Sequence, residues 1–312
     1  HYKKALEMVD NDHDRKVYYV SLGSALEKQG KVTEAIDHYQ KALSIDPNYE
    51  KAHNHLGKVL AGQGRYEEAV YHFSEAIRMN PAYAEAYNNL ANTFVMMGMI
   101  EKAIYYYKES ISHAPGYIDA YSNLGRLFYK RGEMDKAIEQ FNVAVRIDPG
   151  NEEAQNNLAA ATQRRVAVNT AIKKVENALN QKPQDPKLYY QLGELYRMKG
   201  DFSKALDTYE KALSLQPEFT KALSQIAAVH CLQGNYAQAV SSLEKALEMT
   251  PEDPDVYYNL ACMYSLAGNV VEAVPWLKKA LEKGFDDWEL MSKDPDLNNI
   301  KKTEYYRKIT VS

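Results

Sequence analysis

A step of 34 residues runs through most of the chain and constrains its fold more than any other feature. Alanine recurs at this step as Ala35, Ala69, Ala103, Ala137, Ala171, Ala205, Ala239 and Ala273. Proline keeps the same step from Pro47 to Pro251, and glycine keeps it from Gly30 to Gly132 and from Gly200 to Gly268. Three residue types in one register indicate a chain built from copies of one unit.

Each unit contains two helical patterns, and residues 118–151 are the clearest copy. The mid-unit glycine supplies the left-handed backbone that ends the first helix, and the proline cannot continue the second. Glycine or alanine at the eighth position lets the two helices approach closely, so a larger side chain there should cost about 1–3 kcal/mol. Each helix should have about 13–14 residues and a length of roughly 20 Å.

This unit resembles the tetratricopeptide repeat (TPR), a helix–turn–helix of about 34 residues. The resemblance implies an all-α fold, a right-handed α-solenoid or superhelix, with a non-enzymatic role in protein binding. It divides the chain into a partial repeat at 1–15, consisting of a second helix only, eight repeats over 16–287, and C-terminal capping helices at 288–312, similar to those of bacterial TPR proteins. The repeats are 16–49, 50–83, 84–117, 118–151, 152–185, 186–219, 220–253 and 254–287.

Two stretches depart from the pattern. In the divergent repeat 152–185, Val166 replaces the mid-repeat glycine. An irregular turn near Val166–Thr170 is the favoured interpretation, because no residue is inserted or lost, and a longer continuous helix is the alternative. At the end of the array the covering residues are expected to be Trp288, Leu290, Leu297, Ile300 and Tyr305. Pro275 should kink the second helix of the last repeat or weaken its hydrogen bonding.

Composition excludes several classes of function. A formal net charge of −4 and a pI near 6.1 give no general attraction for nucleic acid or anionic membranes, and no apolar run could insert in a bilayer. Cys231 and Cys262 should be free, half-buried thiols, since the register places them on neighbouring first helices too far apart to bridge. The compartment stays open: the cytoplasm is slightly favoured over a periplasmic or extracellular location after removal of a signal. The chain starts without Met inside a helical pattern, which suggests a fragment or processed product.

No residues at catalytic or metal-ligating spacing stand out, so neither an enzymatic activity nor a cofactor is expected. His53 and His55 point to different faces of a helix, so a solvated or groove-lining role is favoured over metal binding. Asp294-Pro295-Asp296 has the composition of a turn and helix cap.

In the TPR family the first helix of each repeat lines a concave groove. The candidate peptide-binding residues of this groove are Asn54, Asn88, Asn89, Asn92, Asn123, Arg126, Lys130, Asn156, Asn157, Tyr190, Gln191, Gln225, Tyr258 and Asn259. Amides both donate and accept hydrogen bonds, so a row of them suits an extended peptide backbone. The row is similar to the asparagine ladder in the TPR domain of the O-linked N-acetylglucosamine transferase. The competing interpretation is an idle polar surface. Cations near the ends of first helices suit an acidic peptide or, equally, the helix dipole. These cations are Lys58, Arg126, Lys130, Arg164 and Arg197.

The leading hypothesis is therefore a scaffold that binds a protein or peptide, extended or helical, in the groove. The first alternative is a structural protein that stacks head to tail into oligomers or filaments. The second is the targeting arm of a larger enzyme. A clamp for chaperone tails is disfavoured, because Val20 and Ser24 stand where the family places Lys and Asn.

Overall fold

The computed structural model describes residues 11–310, so the part of the predicted partial repeat at 1–10 lies outside the described residues. Two compact units divide the chain: His1–Leu124 with Val143–Pro149, and Gly125–Asn142 with Gly150–Ser312. Helices α1 to α6 belong to unit 1: Asp12–Lys28, Val32–Ile45, Glu50–Gly62, Tyr66–Met79, Ala84–Met96 and Ile100–His113. Helices α7 (Ile118–Lys130) and α8 (Met134–Ile147) contribute residues to both units.

Unit 2 contains the remaining helices. These are α9 to α18: Glu152–Gln181, Pro186–Lys199, Phe202–Leu215, Thr220–Leu232, Tyr236–Met249, Pro254–Leu266, Val270–Glu282, Trp288–Lys293, Asn298–Lys301 and Glu304–Thr310, with a 3-10 turn at Pro295–Leu297. No strand occurs among the described residues, and consecutive helices pack in pairs, so the all-α repeat fold is confirmed. Among residues 11–310 no helix is both long and apolar enough to cross a membrane.

The small residue at the eighth position brings the two helices of a repeat together, as the sequence predicts. In α1, a Cβ added to Gly23 would lie 2.5 Å from Cε1 of Tyr39 on α2. In α10, a Cβ added to Gly193 would meet Tyr209 of α11 at the same distance. The aromatic rings thus fill the space that the missing side chains leave, and both rings are fully buried.

The glycine between the two helices of a repeat has the predicted backbone conformation. Gly64, for example, has φ of 77°, and its N–H donates to the carbonyl of Ala61 at 3.0 Å. This left-handed conformation suits glycine because it has no Cβ. The chain then starts the second helix of the repeat within two residues, at Tyr66.

Residues 152–185 do not form a helix–turn–helix. A single α-helix, α9, runs for 30 residues from Glu152 to Gln181, so the favoured turn near Val166–Thr170 is wrong and the continuous helix is correct. The physical reason is local: Val166 stands in place of the glycine, and no residue between Glu152 and Gln181 adopts a left-handed conformation. Neither glycine nor proline occurs between these two residues to interrupt the helix. The side chain of Asn151 caps the helix by accepting from the N–H of Ala154 at 2.9 Å.

The segment after α15 covers the last repeat, with a set of side chains that differs in part from the predicted one. Leu297 and Ile300 are fully buried, as expected, and Tyr305 packs against the core at partial burial. Trp288 and Leu290 remain 48% and 46% exposed, so their assignment as covering residues is wrong. Met291 on α16, Phe285 before it and Tyr306 on α18 are buried in the same core instead. Phe285 stacks on Tyr258, and the hydroxyl of Tyr306 donates to the carbonyl oxygen of Met291 at 3.1 Å.

Two smaller expectations also have outcomes in the structure. Helix α15 continues through Pro275, which lies in its interior, as one element of 13 residues. Helix α1 begins at Asp12, four residues before the predicted start of the first repeat, and Asn11 caps it by accepting from the N–H of Asp14. Asp12 and Asp14 therefore belong to a first helix and not to the partial repeat.

Candidate functional site

The predicted groove amides of unit 1 bind one another across neighbouring repeats. Asn54 on α3 is fully buried, and its Oδ1 accepts from Nδ2 of Asn89 on α5 at 3.0 Å. Nδ2 of Asn54 donates to Oε1 of Glu85 at 3.0 Å and to the hydroxyl of Tyr83 at 3.2 Å. The same link recurs one repeat later, where Asn123 on α7 donates to Asn88 on α5 at 2.9 Å. We call these four asparagines the amide ladder.

The two members of each link differ in exposure, and this difference was not predicted. Asn54 and Asn88, at the fifth position of their repeats, are 0% and 3% exposed. Asn89 and Asn123, at the sixth position, are half-buried. A buried amide needs partners for its donor and acceptor, and the next repeat supplies one of them. Asn54 and Asn88 are therefore structural and do not line an open groove.

In unit 2, tyrosines occupy the fifth position of two repeats. The ring of Tyr190 on α10 packs against Phe219 with ring centroids 5.1 Å apart, and burial is the first cause that raises the pKa of this tyrosine. Tyr258 on α14 donates to Oδ2 of Asp294 at 2.7 Å and stacks on Phe285 with ring centroids 4.1 Å apart. Tyr258 therefore anchors the segment that covers the last repeat.

The remaining predicted amides differ from one another in exposure and in hydrogen bonding. Asn92 accepts from the hydroxyl of Tyr107 within its own repeat at 2.5 Å. Asn156 and Gln191 are exposed, whereas Asn259 is half-buried. Nδ2 of Asn157 on α9 is buried without a hydrogen-bond partner among the described residues. Asn156 and Asn157, which both lie on the continuous helix α9, therefore do not extend the amide ladder.

Acidic neighbours compensate several of the cations predicted at the groove edge. Lys58 lies 3.2 Å from Oε1 of Glu27, and Arg126 lies 3.0 Å from Oε1 of Glu153. Arg164 instead stacks over the ring of Tyr129 at 5.0 Å. Lys130 is exposed. Because the ion pairs are solvent-accessible, each contributes little to stability, but together they lower the net charge of this surface.

The histidine prediction needs correction. His53 is 6% exposed and therefore neither solvated nor groove-lining. Its Nδ1 lies 2.9 Å from Nδ1 of His72, and its Nε2 lies 3.1 Å from the carbonyl oxygen of Pro47. The pKa of His72 is lowered to about 4, mainly by burial and secondly by the neighbouring His53. Sequence reasoning missed His72 because it lies on a second helix, α4, outside the expected groove. His55 stacks on Tyr39 at 5.3 Å.

Both cysteines are free, as predicted, although Cys262 is buried and only Cys231 is half-buried. Burial raises the pKa of Cys231 to about 12 and that of Cys262 well above its usual value. Both therefore stay as unreactive thiols near neutral pH. Among the described residues no cluster of three or more His, Cys, Asp or Glu could hold a metal ion.

Family models place the chain among known proteins. A model described as TPR repeat matches residues 23–64 and 60–98. Three models described as tetratricopeptide repeat match residues 94–161, 186–219 and 219–283. The chain is thus a tetratricopeptide repeat protein and belongs to a class of protein–protein interaction scaffolds.

Two solved structures are similar to it at low identity. YrrB, described as a TPR protein with an unusual peptide-binding site, is 21% identical with a TM-score of 0.41; the match covers 72% of this chain and 96% of YrrB. A tetratricopeptide repeat protein from Parabacteroides merdae ATCC 43184 is 15% identical with a TM-score of 0.42, over 91% of this chain and 99% of the other. No curated protein matches the chain.

Proposed function

We propose that the first-helix surface of unit 1 binds an extended peptide, with Asn89 and Asn123 as the residues that contact the peptide backbone. The observation that carries the proposal is the amide ladder. Each of these half-buried asparagines is held by its own Nδ2, which donates to a buried asparagine of the preceding repeat. Its orientation is therefore fixed before any ligand arrives.

A fixed amide suits this role for an energetic reason. Ordering a mobile polar side chain on binding costs about 0.5–1.5 kcal/mol, and a side chain that is already held avoids most of this cost. For Asn89, the bond to Asn54 engages one N–H and leaves the Oδ1 acceptor and the second N–H for a ligand. An extended peptide offers the matching N–H and C=O groups at every residue.

The charge of this surface favours backbone recognition over recognition of charged side chains. Lys58, the cation that the sequence predicts beside the ladder in unit 1, already lies against Glu27. A ligand would gain little by bringing a carboxylate to a cation that is already paired. We infer that the chain acts by binding a protein or peptide and carries out no catalysis of its own.

The test uses peptides selected from a random-sequence library for binding to the full chain. The variant Asn89→Ala/Asn123→Ala should lose at least tenfold in affinity in fluorescence anisotropy. Asn142→Ala is the matched control, because Asn142 is an exposed asparagine on the second helix α8. Far-ultraviolet circular dichroism must show that all variants keep their helix content.

A second measurement distinguishes backbone recognition from side-chain recognition. Methylating backbone nitrogens of a selected peptide should weaken binding, whereas exchanging its side chains should change affinity less. Equal affinity of the double variant and the Asn142→Ala control would exclude Asn89 and Asn123 as contacts. Insensitivity to backbone methylation would exclude the backbone as what they recognise.

A further inference from the structure

A carboxylate lies beside each half-buried asparagine of the amide ladder. Glu85 precedes Asn89 by four residues on α5, and Asp119 precedes Asn123 by four residues on α7. Residues four apart share one face of a helix. The contacts of the first pair agree with this, because Oε1 of Glu85 and Nδ2 of Asn89 both bind the amide of Asn54. The combination of an amide and a carboxylate thus recurs in two successive repeats of unit 1.

Neither Glu85 nor Asp119 forms an ion pair among the residues that the structure describes. The pairing of Lys58 with Glu27 removes a cation that an acidic side chain would need, but it leaves these two carboxylates unchanged. Lys51, at the equivalent position of α3, has the opposite charge, so the pair of negative charges begins at α5. A cationic ligand would therefore gain from contacting α5 and α7 together.

The second link of the ladder also has an unused hydrogen-bond donor. Oδ1 of Asn88 accepts from Asn123, which gives Asn88 its structural role. Its Nδ2 has no acceptor among the described residues, although the residue is only 3% exposed. In the first link the equivalent nitrogen of Asn54 donates to Glu85, whereas Asp119, in the place of Glu85, is shorter by one methylene group. A buried amide donor usually has a partner, so this one points to a carbonyl group of a ligand.

A half-buried tyrosine lies next to each of the two carboxylates. Tyr83 and Tyr117 immediately precede α5 and α7, two residues before Glu85 and Asp119. The pKa of each tyrosine is raised, first by burial and secondly by this neighbouring carboxylate. A ring beside a carboxylate suits an arginine side chain, because the planar guanidinium group pairs with the carboxylate and stacks on the ring.

The distance between neighbouring helices restricts the conformation of such a ligand. Packed helices have axes about 8–10 Å apart. In a β-strand the side chains on one face recur about every 6.6–6.8 Å, which is too short to follow this distance. In a polyproline II helix, with three residues per turn and a rise of about 3.1 Å, every third side chain recurs about every 9.3 Å on one face. Basic residues three apart in a polyproline II segment therefore match the spacing of α5 and α7.

We propose that the peptide held by the amide ladder is a polyproline II segment with two arginines three residues apart, which pair with Glu85 and Asp119. The inference rests on the proposed function, in which Asn89 and Asn123 contact the peptide backbone. A main-chain carbonyl of the same segment accepts from Nδ2 of Asn88. The ladder supplies most of the affinity, and the two carboxylates select among peptides.

The first test compares three labelled synthetic peptides by fluorescence anisotropy with the full chain at low salt. The probe has the sequence Pro-Pro-Arg-Pro-Pro-Arg-Pro-Pro. The register control has one more proline between the two arginines, and the charge control has glutamate in place of both. The probe should bind at least fivefold more tightly than either control. Added salt should reduce this difference between the probe and the charge control, because dissolved ions screen charges at the surface.

The second test removes the two charges from the protein. Glu85→Gln/Asp119→Asn should weaken binding of the probe about fivefold, while the new amide at position 85 can still accept from Asn54. This loss is smaller than the tenfold loss expected for the ladder variant, because exposed ion pairs are individually weak. Glu67→Gln/Glu101→Gln is the matched control and should leave the affinity unchanged, since both are exposed glutamates on the second helices α4 and α6. Circular dichroism must show equal helix content in all variants.

The outcomes separate this inference from the proposed function. Equal affinity for the arginine and glutamate peptides, no binding of the probe at millimolar concentration, or no effect of Glu85→Gln/Asp119→Asn would overturn the inference. If Asn89→Ala/Asn123→Ala still weakens binding of the library-selected peptides, only the arginine inference fails. If that ladder variant has no effect either, the proposed function fails with it.

Discussion

The buried amide of Asn54 offers the most direct measurement of what the amide ladder contributes to stability. Asn54→Ala removes three hydrogen bonds at once: those to Asn89, Tyr83 and Glu85. A neutral bond contributes about 0.5–1.5 kcal/mol, and a bond to a charged group about 1.5–3 kcal/mol. The three partners are half-buried and can recover water in part. We therefore expect the lower end of the sum, a loss of about 2–3 kcal/mol.

Repeat arrays do not always unfold in one step, so the assay must be local as well as global. Urea unfolding followed by circular dichroism gives the overall loss. Amide hydrogen exchange in α3 and α5 gives the local loss of stability, because the bond between Asn54 and Asn89 joins these two helices. Asn142→Ala, at an exposed site, should cost less than about 0.5 kcal/mol. A loss for Asn54→Ala no larger than this control would refute the structural role of the ladder.

Three further predictions follow from buried contacts and perturbed pKa values. In thermal unfolding, Gly193→Val should destabilise the chain by about 1–3 kcal/mol, because the added side chain meets the ring of Tyr209. Gly62→Ala should instead stabilise it by up to about 1 kcal/mol, because the added methyl group meets no other atom and alanine favours the helix. His72 has a lowered pKa of about 4, so its neutral form stabilises the fold above pH 6.5. Stability should decline as pH falls from 6.5 to 4, by at most about 1.4 kcal/mol per pH unit, and His72→Gln should flatten that decline. Burial raises the pKa of Asp296 to about 6, so its contribution is greatest at low pH and is lost as pH rises through 6. Exchange protection of α17 should therefore fall between pH 5 and 7.5 in the native chain and change less in Asp296→Asn; the opposite trend would contradict the argument.

Most of the repeat architecture could be predicted because a single residue type controls each of its features. A glycine such as Gly64 ends a first helix through its own backbone, and Gly23 admits Tyr39 through its own missing side chain. The continuous helix at 152–185, which was not the favoured prediction, also depends on a single residue. The register of Ala171 and Pro183 favoured a turn, but turn formation depended on the glycine that Val166 replaces. The absence of a helix breaker was the better signal.

The details of the candidate site could not be predicted in the same way. Asn88 and Asn89 are neighbours of one residue type, and their different burial depends on how α5 packs against its neighbours. His53 and His72 approach each other only because α3 and α4 pack together. Contacts of this kind depend on side chains from two helices, so a one-dimensional pattern does not specify them. The binding role of Asn89 and Asn123 stays a prediction.

The contact between the α7–α8 and α10–α11 turns has a consequence for how unit 2 unfolds. In a regular solenoid each repeat touches only the next, so the chain can fray one repeat at a time from an end. Here Gly132 lies against the turn of a repeat two places further on, and Arg131 donates to the carbonyl oxygen of Leu232 on α12 at 3.3 Å. Opening the α10–α11 repeat therefore also disrupts contacts of the repeat at 118–151. Such a second-neighbour coupling should make this part of unit 2 lose its structure as one cooperative block.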